Sequence, residues 1–182
     1  MHRRLVKGES GEALVELAFV TTTLLVFILG IVDFGRAIYD VEVMKNLAGE
    51  GSSMASRIDP SQLSTAAQTV VNSAGSDLNM STKGCVILTM VTNESGTLTI
   101  TAQAKNCAIS ATSKIGCLQG VNGCQSSTPT LPTYASTALS DQVNGSSLAV
   151  TEIYYTFSTI TPVTRILGTN SIPSQFYSVA YY

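Results

Sequence analysis

Sixteen consecutive positions, Leu17 to Val32 (LAFVTTTLLVFILGIV), carry no charge. An apolar run of this kind reads as a helix that spans a bilayer. It falls slightly short of the ~20 residues that cross the hydrocarbon. The span is therefore expected to run on through Phe34, Ala37 and Ile38, with Arg36 snorkelling, the bilayer thinned, or Glu16 at the interface. Thr21, Thr22 and Thr23 are compatible with it, because each hydroxyl can bond a carbonyl one turn back. Beyond the run, Ile38, Val41, Met44, Leu47 or Ala48, Gly51 and Met54 recur at steps of three to four. That spacing predicts one helix continuing to about Arg57, its apolar stripe packed against a domain.

Asp59-Pro60 is a restart signal, with Asp as N-cap and Pro at the first helical position. Leu63, Ala66, Ala67, Val70, Val71 and Ala74 then line one face, predicting a second helix from Pro60 to about Ala74. CVILTMVT, NESG and TLTITAQA follow, two β-rich runs around a four-residue polar turn, which reads as a hairpin. The first run is apolar on both faces and the second alternates, so an inner strand and a more exposed one are expected. From Asn106 to Ser147 the chain is rich in Ser, Thr, Gly and Pro and reads as a long loop. Leu148–Phe157 and Gln175–Tyr182 are further strands, and Pro162 and Pro173 confine the stretch between them to turns or a short helix. The fold class expected is α+β: a long N-terminal helix, a second helix and a small, mainly antiparallel sheet.

Charged residues make up 12% of the chain, about half the typical share, and Ser, Thr, Asn and Gly take their place. That composition suits an exported surface. The net charge is -2, and outside the first seven residues no run of Lys and Arg occurs, so nucleic acid is not an expected partner. His2, Arg3, Arg4 and Lys7 precede the apolar run and Arg36 alone follows it closely. The positive-inside rule then places the N-terminus in the cytoplasm and the C-terminal part in the periplasm or outside the cell, on a single-pass anchor in the inner (cytoplasmic) membrane. A cleaved secretory signal also begins with basic residues, but Asp33-Phe34-Gly35-Arg36 is a poor match to small-residue cleavage chemistry.

Cys85, Cys107, Cys117 and Cys124 all lie beyond the apolar run, where an exported chain meets an oxidising environment. Their even number fits two disulfides. Three pairings are open; short separations favour Cys85 with Cys107 and Cys117 with Cys124. Zinc is not expected, because there is no C-x-x-C pair and the single histidine is His2. The carboxylates Asp59, Asp77, Glu94, Asp141 and Glu152 show no paired spacing, and no glycine-rich phosphate loop is present. Neither an enzyme nor a cofactor is expected.

Just before the apolar run stands GEALVEL, with Gly11 five positions ahead of Glu16. This spacing resembles the cleavage site of type IV pilins and pseudopilins, in which a membrane aspartyl peptidase cuts after a glycine and leaves a glutamate at mature position five. More narrowly, Gly11 to about Arg57 resembles the TadE-like family, the pseudopilins of tight-adherence (Flp) pili. The order of a glycine, an acidic residue, an apolar span, the exit DFGR at Asp33–Arg36 and a small-residue helix near NLAGEGSSMA carries it. Leu17 stands where many relatives have an aromatic, and LAGEGSS is a weaker form of the family's alanine-rich sequence.

The resemblance implies a pilin-like fold, with Gly11 as the last leader residue, Glu12 as the new N-terminus and Glu16 as the membrane glutamate of subunit assembly. It implies as partners other pilin or pseudopilin subunits, the prepilin peptidase, the pilus assembly platform and the lipid bilayer. Domain organisation is then 1–11 cytoplasmic leader, 12–57 transmembrane and extended helix, and 58–182 exported globular domain. Glu16 also has a physical argument, since an ionisable group entering hydrocarbon is unfavourable by a few kcal/mol and calls for a partner or a task. Asp33 and Arg36, three apart on a helix, read as a solvated pair anchoring the membrane boundary.

The favoured function is a minor pilin or pseudopilin of a Tad-type pilus. The alternative is a monomeric anchored envelope module with an exported binding or adhesion domain. Tyr154, Tyr155, Tyr177, Tyr181 and Tyr182 could form such an adhesive face, although aromatics in strands more often form core or cross-strand pairs. The sequons at Asn93 and Asn144 are short matches that chance explains.

Overall fold

The structure is a computed structural model that describes residues 9–74, 78–117, 128–162 and 173–182. In chain order it contains α1 (Glu9–Ala55), a 3₁₀ turn (Pro60–Gln62), α2 (Leu63–Ser73), α3 (Met80–Lys83), β1 (Gly84–Glu94), β2 (Thr97–Cys107), α4 (Thr133–Ser140), β3 (Ser147–Thr156) and β4 (Gln175–Tyr181). Two compact units emerge: residues 1–37 with 158–172, and residues 38–157 with 173–182. The architecture is α+β, as the apolar pattern predicts. The expectation for the stretch between Pro162 and Pro173 lies outside the described residues.

In the first unit, α1 runs without a proline from Glu9. The hydroxyls of Thr22 and Thr23 donate to the carbonyls of Ala18 and Phe19, each at 2.8 Å. A mid-run threonine thus keeps its polar atom inside the helix's own bonding pattern. The whole of α1 has 47 residues.

In the second unit the sheet is four-stranded and antiparallel in the order β2-β1-β3-β4. The inner position of β1 explains why CVILTMVT shows no alternation, since both of its faces are covered. On one face, Gly51 of α1 lies against Thr151 of β3 and Val70 of α2. A Cβ on Gly51 would come within 2.9 Å of Thr151 Cγ2, so the helix approaches this close only because the residue is glycine. Met44, Leu47, Ala48, Ser52 and Ala55 are buried along the same helix, while Ile38 is exposed and Val41 and Met54 are half-buried. The expected stripe is therefore correct in its middle and wrong at its ends. On the other face, Ile115, Leu131 and Leu139 pack on Val91, Ile100 and Val150. Ile109 and Ala111 cover Cys85, Ile87 and Tyr154.

Three expectations need correction. The segment Asn106–Ser147 is not one loop: β2 continues to Cys107, and α4 occupies Thr133–Ser140. α4 has only two buried positions, Ala135 and Leu139, one helical turn apart among Ser and Thr of low helix propensity. Its sequence signal is correspondingly faint. The hairpin turn is not the four residues NESG, because Glu94 pairs with Thr97 and only Ser95 and Gly96 connect the strands. Both have positive φ, 55° and 87°, the conformation that matches strand twist in a two-residue hairpin. Asp59 does occupy the N-cap position before Pro60, but its carboxylate makes no capping bond, and the first turn is 3₁₀ rather than α.

Candidate functional site

The expected processing residues Gly11, Glu12 and Glu16 all lie on α1 in the first unit and are exposed. Glu12 and Glu16 are one turn apart and share a helix face. A Cβ on Gly11 would meet nothing within 4 Å. Among the described residues no packing requires glycine there, although it weakens a helix by about 1 kcal/mol relative to alanine. Around and beyond it the helix shows apolar side chains on all sides: Leu14, Leu17, Phe19, Val20, Leu24, Phe27, Ile31 and Phe34 are all more than half exposed. Leaving such a surface in water forfeits on the order of 20 kcal/mol, given about 1.5–3 kcal/mol for each large apolar side chain. A contiguous exposed apolar surface of this extent is the kind that lipid or other chains cover. α1 is also long and apolar enough to cross a membrane.

The exit from the apolar run departs from the sequence reading. Asp33 is fully buried and is not a solvated partner of Arg36. Its carboxylate accepts the backbone N–H of Ile160 at 3.0 Å, the backbone N–H of Thr161 and the Thr161 hydroxyl. Arg36 donates to the Ser158 carbonyl at 3.5 Å. The DFGR motif thus clasps a segment 120 or so residues further along the chain, within the same unit. A carboxylate taken out of water needs several donors, and here the turn at 158–161 supplies them. Nothing in the local sequence of that turn signals the role.

In the second unit Cys85 and Cys107 are bonded as a cross-strand disulfide, directly opposite each other in the β1–β2 register. Cys117 is also disulfide-bonded, whereas Cys124 lies outside the described residues. Among the described residues no cysteine is free.

Sequence reasoning missed Glu152. It is fully buried on β3 and accepts the Ser113 hydroxyl, the Lys114 backbone N–H at 2.8 Å, the Tyr154 hydroxyl at 3.2 Å and the Tyr177 hydroxyl at 3.1 Å. Lys114 Nζ lies 3.7 Å from the centre of the Tyr177 ring. Burial first, and then the Glu152 charge and hydrogen bond, push the Tyr154 and Tyr177 phenols well above their ordinary range. The arrangement straps the 108–117 segment onto the sheet. The carboxylate thereby ties four donors, from residues 113–114, β3 and β4, to one point.

Asn93 is a second hub. Its Oδ1 accepts the Gly96 N–H at 2.8 Å, and its Nδ2 donates to the carbonyls of Leu139, Ser140 and Gln142. A helix end leaves carbonyls without intrahelical partners, and this amide caps those of Leu139 and Ser140 while fixing the hairpin turn. Asn93 is buried, so its sequon offers no accessible acceptor.

Of the five C-terminal tyrosines, Tyr154 and Tyr155 are buried and Tyr154 contacts Tyr177 at 4.9 Å between ring centroids, a cross-strand pair rather than an adhesive face. Tyr181 contacts Tyr134 at 5.9 Å beside a shallow, mainly apolar groove of about 450 Å³. Among the described residues no group of three or more His, Cys, Asp or Glu is placed to hold a metal ion.

Residues 11–53 match the model of the TadE-like protein family, the family that the N-terminal motifs resemble. The match covers roughly a quarter of the chain. It ends inside α1, and it includes Gly11, Glu16 and the DFGR exit. No curated protein and no solved structure matches the chain.

Proposed function

We propose, from a chain whose residues 11–53 carry the TadE-like pattern, that this protein is a minor pilin or pseudopilin, a non-catalytic structural or assembly subunit of a Tad-type pilus. The carrying observation is the apolar stretch of α1, exposed on every side in the isolated chain and headed by Gly11 and Glu16. In this reading the N-terminus is cytoplasmic, the sheet-bearing unit is exported, and a prepilin peptidase cuts after Gly11. The bilayer covers the apolar helix first, and neighbouring pilin subunits cover it after assembly.

Glu16 then has a partner of opposite charge. Cleavage creates an α-amino group on Glu12, and in the filament the Glu16 carboxylate of one subunit pairs with that cation on the next. An unpaired carboxylate in lipid is unfavourable by a few kcal/mol, so the pair also selects subunits that have been trimmed.

The test separates trimming from assembly. Replacing Gly11 with a bulky residue should leave the leader attached. Glu16→Ala removes a charge that lipid disfavours, so the variant should insert as well as the parent and yet be depleted from filaments. Entry of Glu16→Ala into filaments at the parental level contradicts the assembly role, and the anchored binding module becomes the better account.

A further inference from the structure

Two carboxylates bracket the apolar run, and they stand close together for a bilayer. The interval from Glu16 to Asp33 along α1 is about 26 Å at the α-helical rise. The hydrocarbon of a typical bilayer is about 30 Å thick, and tilting the helix only shortens its vertical reach. Both carboxylates cannot clear a hydrocarbon of that thickness, so one of them lies just inside it.

Asp33 is the carboxylate equipped to enter. It is fully buried and accepts the Ile160 N–H, the Thr161 N–H and the Thr161 hydroxyl, whereas Glu16 is exposed. Acids inside a membrane span are held by protein groups in this way. One residue short of a turn further along α1, Arg36 donates to the Ser158 carbonyl, and a long cationic side chain at that point reaches the headgroups. The two contacts set the depth of the turn. Ser158 stands at the headgroups with Arg36, and Ile160 and Thr161 stand at the hydrocarbon edge with Asp33.

We infer that the turn at 158–161 is a second membrane contact, inserted beside α1 at the exit edge of the bilayer with Ile160 against the acyl chains. This rests on the reading of α1 as a membrane span. The Ile160 side chain is 68% exposed in the isolated chain. Val32 and Phe34, which flank Asp33 on α1, are exposed as well. Ile160 thus extends an apolar surface that the bilayer already covers.

The chemistry of the turn suits that depth. Ser158 to Pro162 carries no charge. Non-helical backbone is tolerated at membrane depth only where protein satisfies its polar groups. The N–H groups of Ile160 and Thr161 and the carbonyl of Ser158 have such partners in Asp33 and Arg36. Pro162 has no N–H to satisfy. The DFGR exit therefore holds, with one acid and one base, the polar backbone of a segment that offers its apolar side chain to lipid.

The chain has no tryptophan, so Ile160→Trp and, separately, Phe27→Trp each give the full-length protein a single reporter. Each variant is reconstituted at low density in phosphatidylcholine vesicles whose acyl chains carry bromine either near the headgroup or near the methyl end. The reporter at position 27 should be quenched most by deep bromine and the reporter at position 160 most by shallow bromine. Iodide in the buffer should quench the reporter at 160 several-fold less than it quenches free tryptophan amide. Adding Asp33→Ala to Ile160→Trp should reverse that pattern, opening the reporter to iodide and removing its response to bromine. A reporter at 27 that bromine does not quench contradicts the span itself, and the inference falls with it. A reporter at 160 open to iodide while the one at 27 responds to bromine overturns the inference alone. So does a reporter at 160 shielded from iodide yet indifferent to bromine, because protein then covers it, or bromine quenching that survives Asp33→Ala.

Discussion

The carboxylate of Asp33 accepts both the backbone N–H and the hydroxyl of Thr161. Removing it strips three donors of their acceptor, counting Ile160 N–H. A hydrogen bond to a charged group is worth about 1.5–3 kcal/mol, so in Asp33→Ala the segment 158–161 should detach. Amide exchange at Ile160 and Thr161 should accelerate at least tenfold while exchange in β1 is unchanged. Equal protection in parent and variant would show that the clasp holds nothing.

Two glycines on α1 give opposite predictions. Gly51→Ala drives a methyl to 2.9 Å from Thr151 Cγ2 and 3.3 Å from Val70 Cγ2, an overpacking expected to destabilise by about 1–3 kcal/mol. Gly49 has nothing within 4 Å of a Cβ, so Gly49→Ala should stabilise by up to about 1 kcal/mol. Thermal unfolding midpoints should move in opposite directions. Adding Thr151→Ala should rescue Gly51→Ala and leave the gain from Gly49→Ala unchanged.

The Glu152 cluster predicts an alkaline limit to stability. Tyr154, Tyr177 and Tyr181 have folded-state pKa values raised above the ordinary 10.0. Above pH 10 the unfolded chain loses these protons while the folded chain retains them, so the unfolded state binds fewer protons and stability falls as pH rises. The stabilisation is complete below pH 10 and is lost above it. Glu152→Gln removes the second-largest cause, so Tyr154 and Tyr177 should titrate earlier than in the parent yet still late. Ultraviolet titration of tyrosinate reads both effects. A single transition near 10 for all seven tyrosines would contradict the arrangement.

The cross-strand disulfide predicts a linked peptide containing Cys85 and Cys107. Replacing both with Ser should lower stability by about 2–4 kcal/mol. Denaturant midpoints measure the change, and recovery of Cys85 in any other linkage would reject the pairing.

Much of this molecule is legible in its sequence because its strongest signals are local. The uncharged run Leu17–Val32 specifies α1, and CVILTMVT specifies an inner strand by lacking alternation. What escapes notice depends on partners far along the chain. Asp33 reads as a surface pair with Arg36 because its actual donors lie at Ile160 and Thr161. Glu152 is a lone acid in a strand until Ser113, Tyr154 and Tyr177 are brought around it. Asn93 looks like a sequon, since its role as a cap depends on where α4 ends. α4 itself is held by two buried side chains and an asparagine amide from another strand, so periodicity alone does not find it.

The central claim, that this chain is trimmed after Gly11 and built into a pilus, meets its most direct test in mass spectrometry of pili sheared from cells with a working prepilin peptidase. The account predicts that the sheared fraction contains this chain and that its N-terminal peptide begins at Glu12. Recovery of the chain only in the membrane fraction, still carrying Met1 to Gly11, would contradict it.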